Sequence, residues 1–477
     1  MNIIGRKEEK KEFHRLFNSS KPQLVVIHGR RGVGVSTFTK EMLKDRIDFS
    51  FSITSEKPRL IDNLALWQKA INEINKGKKF KQPINWLEAF DQLKTLLTRQ
   101  KSKSDRKIVV LDSFEKMNSS GSEMTTAFYK FWKSWGLEND SSFVIISGVT
   151  TSWKIRLLQR KNTEFSSLYT GEIQLKPFSL YETEQFLKRK GVQLSKEEIV
   201  KYYMILGGVP LYLNQIHKTG KISHNIKRIF SLKSGKLKNE FKDLMDTFIV
   251  HQEVCTAMLV TLAAAKHGLT RDVLIKKTGY KSGGSVTNAI TEMIKAGWIE
   301  SYTPWNTNRY HAVYKLIDPF IQFHFRIQST NILDQTTVAD FNFDHPKWKE
   351  WAGVAFTNLC IYHVTQLKRM VNTKKEKLSR TNWHRQANDS LTEYQQDLIF
   401  RGANRKTFVF DFIFSENKVT LDEDYYTFFY KKFEAYRYFT QKKQIASPVA
   451  VTLHGINTEV EENPLQQLVS VKELFLA

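Results

Sequence analysis

The stretch "HGRRGVGVST", residues 28–37, follows the apolar run "QLVVI" of residues 23–27 and precedes "FTKEMLKDR" of residues 38–46. It differs by one letter from the phosphate-binding pattern G-x-x-x-x-G-K-[ST]. Gly29 and Gly34 hold the glycine positions and Ser36 the hydroxyl position, but Val35 stands where the lysine belongs. Glycines let backbone N–H groups converge on phosphate oxygens at a helix N-terminus whose dipole favours anions. Gly29, Arg30, Gly32, Val33, Gly34, Val35, Ser36 and Thr37 are therefore the candidate residues for binding ATP or ADP. Val35 can supply no charge to the β- and γ-phosphates, whereas the Ser36 hydroxyl can still ligate Mg²⁺. A loop without its lysine is expected to hold nucleotide weakly and to stabilise phosphoryl transfer poorly.

Two further apolar runs, "KIVVLDS" (107–113) and "SFVIISG" (142–148), read as buried strands like residues 23–29. Short apolar strands separated by helical stretches predict an α/β unit, a parallel sheet covered on both faces. The loop then lies at the carboxyl end of a strand, where such sheets place ligands. Asp112 ends the second strand and is the candidate Mg²⁺ residue beside Ser36. P-loop ATPases usually follow this Asp with a Glu that positions water; here it is Ser113, and Glu115 faces elsewhere if the strand continues.

Four domains are expected: 1–177 as the nucleotide-binding core, 178–247 as a helical subdomain, 248–325 as a winged helix and 326–477 as an α+β domain. "LYETEQFLKRKG" and "KEEIVKYYMILGG" carry helical spacing, and Gly207, Gly208 and Pro210 stop the second helix. Residues 253–268, 270–279 and 282–297 read as three helices, with Thr270 an N-cap, and 298–316 as a ribbon. That is the layout of a winged helix, in which Lys276, Lys277, Lys281, Asn288 and Arg309 could meet phosphates. Farther on, "KTFVFDFIF" and "PVAVTLHG" are strands, residues 351–369 and 425–439 are helices, and the polar stretch 372–394 reads as a mobile loop.

Lysine and arginine number 73 against 49 aspartate and glutamate, so the formal charge is +24, which favours polyanionic partners. The two cysteines, Cys255 and Cys360, stand far apart and argue against a disulfide framework. The twelve histidines offer no zinc spacing. No apolar run is long enough to span a bilayer, and the first residues lack a signal peptide's apolar core, so a cytoplasmic protein without a membrane partner is expected.

"IIGRKEEKKEF", "GRRGVG", "FYKFWKSWG", "SGVTTSWK", "LKPFSLYETEQFL", "LGGVPLYL" and "WAGVAFTNLCIYH" resemble, in order, the boxes of a prokaryotic family. It comprises the archaeal and Bacteroidetes-type P-loop ATPases of the STAND/AAA-related group, with a winged helix and a C-terminal PD-(D/E)xK nuclease-like domain. The resemblance covers most of the chain. It implies that Arg6 of the I-G-R box and Pro210 of the G-G-x-P box lie near the nucleotide. It also marks departures. Val35 and Ser113 replace charged residues, and Leu168 stands where the family has an arginine. Arg30 and Arg31 do not compensate, because family members carry them alongside the lysine.

In the last domain, the resemblance assigns Asp397 and Asp411 as metal ligands, with Ile413 replacing the lysine and Phe356-Thr357 replacing Phe-Glu; Asp411 reads equally as a vestigial ligand or as a polar residue on a half-exposed strand. Nuclease activity is not expected. The reading is a nucleotide-binding protein, weak or inactive in hydrolysis, acting as a switch or scaffold on DNA or a protein partner. The alternatives are an active ATPase with an atypical loop, and a DNA-binding protein whose P-loop domain is only structural.

Overall fold

The computed structural model describes residues 3–53, 59–117, 123–149, 168–231, 233–247, 251–305, 312–330, 343, 346–371, 377–385, 394–402, 405–421, 423–440, 445–458 and 467–476. They form two compact units: Met1–Pro177 with Asp246–Val250, and Phe178–Met245 with His251–Ala477.

The first unit runs α1 (Lys7–Phe17), β1 (Gln23–Gly29), α2 (Val35–Leu43), β2 (Phe49–Ser52), α3 (Leu60–Ile74), α4 (Trp86–Arg99), β3 (Lys107–Asp112), α5 (Phe114–Met117), α6 (Met124–Phe131), β4 (Ser142–Val149) and β5 (Gly171–Leu175). The five strands lie in the order β2-β3-β4-β1-β5, all parallel. Every residue of β1 is buried, because the strand is central and covered on both faces. Its side chains alternate with period two. Leu24 and Val26 enter an aromatic cluster with Trp67, Trp86, Phe90 and Phe128 from the helical side of α3, α4 and α6. Val25 and Ile27 enter a second cluster with Phe13, Leu16, Phe38 and Leu43 from α1 and α2. Each such side chain contributes about 1.5–3 kcal/mol when fully buried. The sequence placed a helix over 38–46; α2 instead begins at Val35, directly after Gly34.

The second unit begins with α7 (Leu180–Arg189), α8 (Lys196–Leu206), α9 (Pro210–Leu213), α10 (Ile222–Phe230) and α11 (Glu240–Met245). Ser179 with Glu182, and Ser195 with Glu198, form reciprocal capping boxes that set the starts of α7 and α8. A Cβ on Gly208 would stand 1.9 Å from the Phe178 carbonyl oxygen, so only glycine allows the Phe178 N–H to reach the Gly208 oxygen at 2.7 Å.

Next come α12 (Gln252–Ala264), β6 (Leu269–Thr270), α13 (Arg271–Thr278), α14 (Gly284–Lys295), β7 (Ile299–Tyr302) and β8 (Val313–Leu316). The strands form an antiparallel sheet, β6-β8-β7. Cys255, Met258, Leu274, Val286, Ile290 and Met293 are buried on the helices beside it.

The chain continues through α15 (Pro319–Phe323), α16 (Pro346–Tyr362), α17 (Val364–Val371), β9 (Ser379–Arg385), β10 (Tyr394–Arg401), β11 (Lys406–Ile413), β12 (Val419–Leu421), α18 (Glu423–Phe439), β13 (Ile445–Thr452), β14 (Ile456–Thr458) and β15 (Gln467–Ser470). A five-stranded sheet has the order β15-β13-β11-β10-β9. β9, β10 and β11 are antiparallel neighbours, while β13 runs parallel to β11 and β15 parallel to β13. β9 lies inside the stretch 372–394 expected to be a loop; it pairs along β10 despite lacking an apolar alternation. The flanking residues 372–376 and 386–393 of that stretch lie outside the described residues. Neither Cys255 nor Cys360 is in a disulfide, and both are buried. Among the described residues no helix is long and apolar enough to cross a membrane.

Candidate nucleotide site

β1 ends at Gly29, α2 begins at Val35, and the five residues between them form the loop. Gly32 has φ 85° and Gly34 φ 94°, left-handed values that strain other residues. A Cβ on Gly34 would meet nothing within 4 Å, so the backbone there faces open space. α2 has no side-chain cap and no acid in its first turn, as an N-terminus that receives an anion requires. The backbone therefore fits the phosphates of a nucleotide.

Arg6 builds the loop from behind. It is 3% exposed, and its guanidinium donates to the Val33 carbonyl at 3.1 Å and to the Lys176 carbonyl just after β5. Glu9 is 3.5 Å from it. These bonds tie the loop to the next strand's exit. Arg30 is buried, and His28 is 2.7 Å from Glu172 across β1 and β5. Val35 packs at the edge of the cluster formed by α1, α2 and the sheet. Ser36 is half-buried and Thr37 exposed. Pro210 opens α9 in the other unit.

Asp112 is 8% exposed at the end of β3. Its Oδ1 accepts the Ser147 hydroxyl of β4 at 2.6 Å and the Ser113 N–H at 3.1 Å. Neither contact uses Oδ2. A carboxylate oxygen such as Oδ2, and a hydroxyl such as that of Ser36, are the donor types that suit a hard cation such as Mg²⁺. Ser113 has φ 54°, which ends the strand and starts the α5 turn. The strand therefore stops at Asp112, and the condition under which Glu115 would face elsewhere is not met. The turn brings Glu115 within range of the Asp112 charge and the Val149 backbone at the end of β4. Burial raises its carboxyl to about 7, and the Asp112 charge adds to the shift. Lys116 and hydrogen bonds with the Glu115 and Val149 backbone oppose it. The sequence shows Glu115 as an acid close to Asp112 but not where it points, because a positive φ at Ser113 sets its position. Leu168 is buried in the aromatic cluster. Most of "SGVTTSWK", from residue 150, lies outside the described residues, as does Arg309.

In the second unit, Asp397 on β10 and Asp411 on β11 stand one step beyond the paired residues Leu398 and Phe410. Lys315 of β8 is 3.0 Å from Asp397, and Lys432 of α18 is 3.1 Å from Asp411, which also accepts the Tyr425 hydroxyl at 2.9 Å. Burial pushes the Asp397 carboxyl up, but Lys315 and His267 more than offset it and hold it below the usual range. Ile413, like Val419, Tyr425 and Ile456, packs against the buried Ala450, and the ammonium near Asp411 comes from α18 rather than from β11. Thr357 bonds back to Gly353 within α16. Among the described residues no three His, Cys, Asp or Glu side chains gather as a metal group. Lys432→Met is expected to destabilise the second unit by about 1–2 kcal/mol, since it strands a half-buried carboxylate. Adding Asp411→Asn should return most of that loss. Urea unfolding of the two variants checks it, and a fully additive pair would refute the coupling.

No known protein-family profile matches the chain. It is 21% identical over 390 residues to the uncharacterized protein MJECL04 of Methanocaldococcus jannaschii, covering 80% of this chain and 82% of that one. Among solved structures it is similar to the Walker-type ATPase PABY2304 of Pyrococcus abyssi, at 18% identity and TM-score 0.50, covering 68% of this chain and 96% of that one. It also matches the ORC2 protein of Aeropyrum pernix at 14% identity and TM-score 0.43, covering 70% of this chain and 95% of that one. The five-stranded parallel sheet, the glycine loop between β1 and α2, and the likeness to the Pyrococcus structure together give the chain the P-loop NTPase fold.

Proposed function

We propose that the chain is a nucleotide-responsive scaffold: it holds ATP or ADP weakly at residues 29–37, with Mg²⁺ between Ser36 and Asp112, and hydrolyses it negligibly. The supporting observation is the contrast within one loop. The backbone cradle is retained and braced by Arg6, while the position that supplies charge to the β- and γ-phosphates is a valine packed on the core. The output is contact with DNA through the winged helix of α12, α13, α14 and the β7–β8 ribbon. The exposed residues of α14 include Ser285, Asn288 and Thr291, and those of α13 include Lys276 and Lys277, with no acid on the open face of α14. Uncharged donors flanked by lysines suit a groove and its phosphates. The α+β domain serves as an interaction module for DNA or a protein partner, with Asp397 and Asp411 as structural ion pairs.

Calorimetric titration with ATP and ADP, with and without Mg²⁺, tests the nucleotide reading. The natural protein should bind more weakly than micromolar, and Val35→Lys should tighten binding at least about tenfold, which is about 1.4 kcal/mol. Steady ATP turnover that disappears in Asp112→Ala would overturn it. A second reading, an active ATPase, has one observation in its favour: Glu115 reaches the neighbourhood of Asp112 that Ser113 leaves without an acid. Turnover lost in Glu115→Gln would select that reading.

A further inference from the structure

A cleft on the helical part of the second unit collects positive charge. One cavity of about 430 Å³ is lined by His217, Lys221, His224 and Arg228 among others. A second, of about 540 Å³, is lined by Lys190 and Lys218 and shares His217 and Thr219 with the first. Among the described residues no acid lines either cavity.

The cations are held by groups without formal charge. Lys190 donates to the carbonyls of Asn214 and, at 3.2 Å, of Ile216. Arg228 donates to the Gln215 carbonyl and lies 3.4 Å from Asn225 Oδ1, which also accepts the His217 N–H at 3.0 Å. The backbone carbonyls after α9 thus orient two charges without neutralising them. Elsewhere in this unit lysines meet acids: Lys201 meets Glu416, Lys315 Asp397, Lys432 Asp411 and Lys472 Glu197. None of the six basic residues of the cleft has such a partner among the described residues. The nearby Glu198 is engaged by the Ser195 N–H in its capping box. Burial, and then the charges of Arg228 and Lys218, lower the ammonium of Lys190. A fold that holds like charges together without an acid is completed by an anion from outside.

We propose that this cleft binds the phosphodiester groups of a nucleic-acid backbone, as a sequence-independent contact separate from the winged helix. His217, Lys218, Lys221 and His224 are exposed, so the cleft is open along its length and admits a polymer rather than enclosing a small anion. Among the described residues it offers no Phe, Tyr or Trp as a platform for a base, so its main contact is with phosphate. The inference rests on the proposed role on DNA, and the experiment separates the two.

Fluorescence anisotropy with a labelled duplex of arbitrary sequence, titrated at several salt concentrations, is the test. Lys218→Glu/Lys221→Glu changes two exposed residues and breaks none of the hydrogen bonds described above. It is expected to weaken binding at least about tenfold and to flatten the plot of log affinity against log salt by about two phosphate contacts. Lys190→Gln, whose folding is checked by circular dichroism, should act in the same direction. Unchanged affinity and slope in Lys218→Glu/Lys221→Glu, with the natural protein still binding, would overturn this site alone. No duplex binding by the natural protein would instead overturn the proposed DNA role. Displacement of the duplex from this cleft by millimolar inorganic tripolyphosphate at matched ionic strength would also overturn the proposal, by assigning the cleft to a free polyphosphate. Retention of the duplex is the expected result.

Discussion

Arg6→Ala is expected to lower the stability of the first unit by about 3–5 kcal/mol and to release the phosphate loop. The guanidinium is buried and donates to two carbonyls, Val33 in the loop and Lys176 beyond β5. Its removal leaves both acceptors without this donor, at about 1–3 kcal/mol each, and also removes the packing of its stem. Arg6→Lys should recover only part of the loss, because one ammonium does not reproduce a planar fork serving two carbonyls. Denaturant unfolding measures the total. Amide exchange over residues 30–38 measures the local part, and protection of the Phe38 N–H, bonded to Gly34 at 2.8 Å, should fall most. Unchanged exchange there would show that the loop stands without Arg6. The resemblance places Arg6 near the nucleotide; its bond to the Val33 carbonyl braces the loop, so its removal would also act on ligand through loop shape.

The central strands were legible because burial on both faces leaves an unbroken apolar run. "QLVVI", "KIVV" and "FVII" are short, rich in β-branched residues and apolar throughout, as strands inside a covered sheet are. Edge and polar strands were not legible. β2, "FSFS", is buried only at alternate residues and has four residues, and β9, "SRTNWHR", lacks the pattern altogether. Their pairing comes from neighbours supplied by distant chain. The same limit governs the sites. The loop could be read locally because its chemistry is the backbone of consecutive residues. The ion pairs could not, since Lys315 meets Asp397 across 82 positions and Lys432 meets Asp411 across 21. The basic cleft was missed for a related reason. Its charges are spread from Lys190 to Arg228, and only the carbonyls after α9 bring Lys190 and Arg228 together.

Glu115→Gln is expected to stabilise the first unit by about 3 kcal/mol above pH 7 and to have little effect near pH 4.5. The carboxyl rises from 4.5 to about 7 in the fold, mainly through burial, with Asp112 adding repulsion. Between those values the folded chain keeps a proton that the unfolded chain has released. Stability therefore falls as pH rises through this window, and the loss is complete once the folded carboxyl ionises. At about 1.4 kcal/mol per unit, the shift corresponds to roughly 3 kcal/mol. Glutamine keeps the shape and removes the titration, so natural and variant curves should diverge from pH 4.5 upward and run parallel above 7. Urea midpoints at pH 4.5, 6 and 8 test this, and a difference that does not change with pH would refute it. The partner substitution Asp112→Asn removes the repulsion but leaves the burial, so it should recover only a small part of the same energy. A carboxyl that ionises near neutrality only at a cost to the fold is a poor permanent charge. It is suited to a site whose charge balance changes when a cation and a nucleotide arrive, and Mg²⁺ bound beside Asp112 would make the ionised form cheaper to keep.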